Sequence, residues 1–250
     1  MTRTLLVFTL MLLALPAAAT PRPDFQPELG SHLDLTTPLT DEAGATAPLS
    51  ADTAGKPFLV LFGYHKCPNL CGVADLDLVQ TLKQTGLDAA TYRVLFISVD
   101  PDETAADAAA SRAKLATASG GADLSSWRFL VGKAADLAHL ESSVGMTVSK
   151  VDRDLYVHPV AISAVTPDGK LSGVLSGLDY RASDLRAAVA TASAGKLGSL
   201  GEHLLLLCSA FLGIGRYTGA AIFAMRIMGL AVMAAIAGGI FLLTRRGHPA

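Results

Sequence analysis

The chain has 250 residues, 51% of them hydrophobic and only 17% charged, with a formal net charge of −2; an ordinary soluble protein is about 25% charged. Residues 1–19 and 204–250 hold five bases and no acid, while the 184 residues between them hold 15 bases and all 22 acids, a net of −7. An acidic body repels nucleic-acid phosphate, and the two hydrophobic ends exclude a purely cytosolic globule; the middle is long enough for one domain with a real core.

Residues 1–19 read as a secretory signal: Arg3, an apolar run over 5–15, Pro16, and three alanines ending at Ala19, where cleavage is expected. The apolar run is shorter than the ~20 residues a span needs. Residues 20–55, rich in Pro, Thr, Ala and Gly, read as an extended lead-in segment with short strands around 32–35 and 47–49. The main domain occupies 56–195. It predicts a buried strand over 58–63, a helix over 71–85, a strand over 92–99 ended by Asp100-Pro101, and an Ala-rich helix over 102–118. A strand over 127–131 and a helix over 133–143 follow. Two strands, 160–165 and 171–175, are joined by Thr166-Pro167-Asp168-Gly169-Lys170, where Pro fixes φ and Gly supplies a positive φ. The last helix is expected over 182–194.

Residues 196–218 read as a linker with an interfacial apolar piece over 204–214. Residues 219–244 read as one transmembrane helix, uncharged from 227 to 243, followed by a short tail, 245–250. Arg245 and Arg246 favour a cytoplasmic C-terminus, which leaves the main domain on the periplasmic, extracytoplasmic side of the inner membrane. Strands joined by helices, then a hairpin and a closing helix, predict an α/β fold: a thioredoxin-like central mixed sheet flanked by helices, plus the C-terminal transmembrane helix.

There are three cysteines, Cys67, Cys71 and Cys208. Cys67 and Cys71 fall between a strand and a helix, where the helix macrodipole, Lys66 and a protonated His65 would acidify a thiol. Their C-x-x-x-C spacing is one residue longer than the redox C-x-x-C. If the loop makes about one helical turn, the two sulfurs point the same way and chelate one soft ion: Cu(I), with zinc or an iron–sulfur cluster as competitors. Two sulfurs complete no such site, so a third ligand is needed, and six histidines are available. His158, in Tyr156-Val157-His158-Pro159-Val160, precedes the hairpin strand, and proline extends its predecessor. In a thioredoxin-like fold that position faces the cysteine loop.

Phe62-Gly63-Tyr64, Cys67-Pro68-Asn69-Leu70-Cys71, Phe96-Ile97-Ser98-Val99-Asp100-Pro101, and His158 ahead of Pro167-Asp168-Gly169 together resemble the SCO/SenC family of copper-binding, thioredoxin-like assembly proteins for cytochrome c oxidase. The resemblance covers roughly residues 30–192. It implies copper, as Cu(I) and/or Cu(II), held by Cys67, Cys71 and His158. Asp100 would support the site or cap the next helix. The implied partners are the copper-site subunit of the oxidase and another periplasmic copper carrier or thiol reductant. Many members have Asp-His-Ser where this chain has Val157-His158-Pro159, and Pro soon after the second Cys where it has Gly72. The C-terminal anchor matches a bacterial branch in which a Cys-Tyr-His-Tyr-type motif precedes the span; only Cys208 is left of it here, read as a buried or interfacial thiol.

A metallochaperone delivering copper is therefore expected rather than an enzyme. The alternative is a thiol–disulfide oxidoreductase that reduces the cysteines of the oxidase copper site, with Cys67 attacking and Cys71 resolving. A peroxidase ranks last, because no Thr-x-x-Cys arrangement leads into Cys67.

Overall fold

The computed structural model describes residues 24–67, 71–152, 155–178, 180–198, 226–233 and 238, with the side chain of Cys71 left out. The expected signal peptide, Cys208 and most of the 219–244 segment lie outside the described residues. The chain divides into two units, 1–199 and 200–250. In the second, residues 226–233 are helical and exposed. Among the described residues no helix is long and apolar enough to cross a membrane.

The first unit runs β1 (Asp24–Phe25), β2 (Pro38–Asp41), β3 (Thr46–Pro48), α1 (Leu49–Thr53), β4 (Phe58–Gly63), α2 (Cys71–Thr85), β5 (Arg93–Ser98), α3 (Ala105–Ala118) and β6 (Trp127–Val131). It continues through α4 (Ala134–Ser143), β7 (Met146–Thr147), β8 (Ser149–Asp152), β9 (Leu155–Val157), β10 (Ala161–Val165), β11 (Leu171–Ser176) and α5 (Ala182–Ser193). Seven strands form one mixed sheet in the order β11-β10-β4-β5-β6-β2-β3. The central β4, β5 and β6 are parallel, with α2 and α3 as their crossovers. The outer strands on both sides are antiparallel. Two small ribbons, β1–β7 and β8–β9, stand apart from this sheet.

The alternation of side chains along each strand explains the layering. Leu59, Leu61, Val94, Phe96 and Phe129 pack with Leu78, Leu82, Leu115, Leu185 and Val189 of α2, α3 and α5 on one face. Phe58, Val60, Phe62, Leu95, Ile97 and Leu130 pack with Leu49, Leu137 and Leu140 of α1 and α4 on the other. Both faces of the sheet are apolar, so both need a helical cover, and the expected mixed sheet flanked by helices is what forms.

Two local expectations are corrected. Residues 32–35 form no strand: His32 makes an isolated bridge to Lys170, and the Leu33 N–H donates to the Gly169 carbonyl. That segment closes over the β10–β11 turn instead of extending the sheet. Gly169 takes φ +91° there, and a Cβ on it would come within 2.9 Å of the Leu33 carbonyl oxygen, so the turn needs glycine on both counts. The helix expected from 102 begins at Ala105, because Thr104 caps it in a reciprocal capping box with Asp107.

Candidate metal centre

The buried strand β4 ends at Gly63, and the next residues turn at once, the Cys67 N–H donating to the Tyr64 carbonyl at 3.1 Å. Cys67 is half-buried, and Cys71 opens α2. The Glu103 carboxylate, 6% exposed, holds this turn from below. One oxygen accepts from the His65 N–H at 2.7 Å and the other from the Lys66 N–H at 2.6 Å. The first also accepts from the Ser98 hydroxyl at 2.6 Å. Buried charge is costly unless it is hydrogen-bonded, and here three donors meet one carboxylate.

His158 arrives from a different direction, directly after β9. Its Nδ1 lies 3.0 Å from the Pro159 carbonyl. A carbonyl only accepts, so Nδ1 carries the proton and Nε2 has the lone pair; metal-bound histidines are commonly oriented by such a bond. Burial lowers the His158 pKa below its ordinary value, which keeps the ring neutral at pH 7 and ready to ligate. Among the described residues no peptide bond is cis, His158–Pro159 included. Tyr64 packs between the two segments, its ring 6.4 Å from His158 edge-on and 5.8 Å from Tyr156.

A cavity of about 350 Å³ is lined by Cys67, His158, Tyr64, Tyr156, Asp75 and Tyr180 over an apolar floor. Two of the three sequence-predicted ligands, Cys67 and His158, thus share one cavity, and the third begins the adjoining helix. Thiolate sulfur with neutral imidazole nitrogen is a donor set that suits copper. Among the described residues, which leave out the Cys71 side chain, no three His, Cys, Asp or Glu side chains form a group that could hold a metal ion.

Other expectations change. His65 does not lend positive charge to Cys67. Its ring is turned against Phe96 (4.8 Å between centroids), its Nε2 donates to the Leu130 carbonyl at 3.2 Å, and burial lowers its pKa, so it stays neutral. Lys66 lies 3.5 Å from the Asp107 carboxylate. Asp100 does not cap α3; that is Thr104. Instead its Oδ1 accepts from the Tyr156 hydroxyl at 3.1 Å and from the Asp102 N–H at 3.0 Å. Sequence alone assigns no role to Glu103, Tyr156 or Asp75. Asp75 had a signal: it stands four residues after Cys71 and three before Leu78, on the stripe of α2 that Leu78 and Leu82 bury. Burial pushes its carboxyl up to about 7. The Tyr180 hydroxyl, on the same cavity wall, is buried without a hydrogen-bond partner among the described residues.

Solved structures share this architecture. A protein of Aquifex aeolicus VF5 superposes with a TM-score of 0.60 at 19% identity, covering 70% of this chain and 99% of its own. Arabidopsis thaliana ScoI, solved with copper bound, gives 0.53 at 16% identity, covering 67% and 99%. BsSco, described as a member of the Sco family of cytochrome c oxidase assembly proteins with a disulfide switch, gives 0.50 at 20%, covering 67% and 98%. At these identities the likeness establishes the fold. No curated protein matches the chain. The sequence profile of the SCO1/SenC family matches residues 30–193, and the chain belongs to that family.

Proposed function

We propose that the chain is a copper carrier of cytochrome c oxidase assembly, holding copper on Cys67, Cys71 and His158 and passing it to the copper-site subunit of the oxidase. The observation that carries this reading is the shared cavity of Cys67 and His158, 91 residues apart in sequence. Family membership, the copper-bound relative and the assembly role given to BsSco support it. Soft sulfur retains Cu(I), and a cavity bounded by one half-buried thiol and one imidazole leaves room for ligand exchange with a recipient. The same reading puts the domain outside the cytoplasmic membrane, led by the 1–19 signal, tethered by the 219–244 helix, and ending in the cytoplasm at 245–250.

Anaerobic Cu(I) titration of the purified full chain tests it. Wild type binds about one copper; Cys67→Ser and Cys71→Ser lose it, and His158→Ala binds at least tenfold more weakly. Copper binding unchanged by His158→Ala overturns the ligand assignment.

A thiol-reductant role is the second reading, favoured by Cys71 at the head of α2, four residues after Cys67 in sequence, and by the disulfide switch described for BsSco. In it the two thiols become a disulfide as a disulfide of the oxidase subunit is reduced. Turnover against an oxidised copper-site peptide, without copper, separates the two roles.

A further inference from the structure

Two segments far apart in sequence carry the ligands of the proposed copper site, and each needs a fixed point. Both fixed points lie on one short stretch, the connection between β5 and α3. Glu103 holds the cysteine segment by accepting from the His65 and Lys66 N–H groups, 2.7 and 2.6 Å. Asp100 holds the histidine segment by accepting from the Tyr156 hydroxyl, two residues before His158, at 3.1 Å. Ser98, fully buried, joins the Glu103 carboxylate to the backbone of Asp100: its hydroxyl donates to Glu103 at 2.6 Å and accepts from the Asp100 N–H at 3.0 Å. Above this connection Tyr64 of the cysteine segment packs on both Tyr156 and His158. The connection itself is anchored to the core: the Val99 N–H continues the ladder to the Gly63 carbonyl at 2.6 Å.

We propose that Glu103 and Asp100, linked through Ser98 and acting on the histidine segment through Tyr156, are positioning residues that set the separation of Cys67 and His158. The proposal rests on the copper reading above. Neither carboxylate lines the cavity, so neither is assigned as a ligand. Tertiary scaffolding of this kind is what lets two ligands on separate segments meet one ion without reorganisation, and outer partners of metal ligands typically change affinity 10–100-fold when removed.

The test uses the full chain and two readouts: Cu(I) affinity by chelator competition, and the sulfur-to-Cu(II) charge-transfer band with the copper EPR hyperfine splitting. Tyr156→Phe deletes only the hydroxyl and keeps the ring against Tyr64. Glu103→Gln puts a donor where an acceptor is needed. Both are expected to weaken copper by at least tenfold and to shift the band. Thr104→Ala is the control: it removes the α3 cap and lowers the melting temperature, with copper affinity and spectrum unchanged. Should Glu103→Gln fail to fold, Tyr156→Phe decides alone. If Tyr156→Phe resembles Thr104→Ala, losing stability while affinity and spectrum stay put, the two carboxylates are merely structural and the proposal falls. A wild-type chain that binds no copper fails at the control and takes both readings with it.

Discussion

Cys67 leaves a strand that is buried at all six residues and hydrogen-bonded to a neighbour on each side, whereas His158 leaves a two-stranded ribbon whose first strand is exposed at three of four residues. The difference is one of what fixes each ligand. The cysteine segment inherits its position from the centre of the sheet, where β4 is packed against both helical layers. The histidine segment links that ribbon to the buried β10, and between them it is held by the Tyr156 hydroxyl, the Tyr64 ring and the Pro159 carbonyl. A ligand held by side-chain contacts of this kind fits the proposed copper carrier, which would have to give its metal up.

Substitutions on the two sides should therefore have unlike costs. Phe62→Ala, in the buried strand, should destabilise by about 3–5 kcal/mol; urea unfolding measures it, and a loss under 1 kcal/mol would mean that the cysteine segment is not core-anchored. Asp75→Asn probes the cavity wall between the segments. Burial raises the Asp75 pKa to about 7 from 3.8, so between those values the folded chain holds a proton that the unfolded chain has released. Its contribution to stability is full below about pH 4 and is lost as pH rises through 7. Asp75→Asn should accordingly be more stable than wild type at pH 8, on the order of 2–4 kcal/mol, with the gain gone by about pH 4. Melting curves across that range check the sign, and a gain that grows toward acid would contradict it. Val157→Thr, on the exposed ribbon, should change stability by less than about 0.5 kcal/mol. A larger loss would show that the ribbon carries more of the fold than its exposure indicates.

Much of the scaffold was legible in the chain itself. The strand at 58–63, the Ala-rich helix and the Pro-Asp-Gly turn announce themselves through local composition, and the order of elements left few topologies. The two ribbons were not legible. β1 and β7 are two residues each, β8 is polar and exposed, and β9 is only three residues long, so none bears a periodic apolar pattern. His65 shows the limit most plainly. As a sequence neighbour of Cys67 it reads as a source of charge; in the fold it follows the strand into the Phe96 and Phe129 cluster and stays neutral.

The sequence by itself determined the family and supplied the candidate donors: two cysteines at a strand–helix junction and a histidine before a proline, each recognisable from its immediate neighbours. Only the tertiary structure decided that Cys67 and His158 share a cavity, that Asp75 and Tyr180 are buried in its wall, and that Glu103 and Asp100 hold its two sides. These are contacts across 38 to 103 residues, such as Glu103 to His65, Tyr156 to Asp100 and Tyr180 to Asp77. Local propensity carries no record of them, because a carboxylate's role depends on which distant N–H groups the closed sheet brings within 3 Å of it.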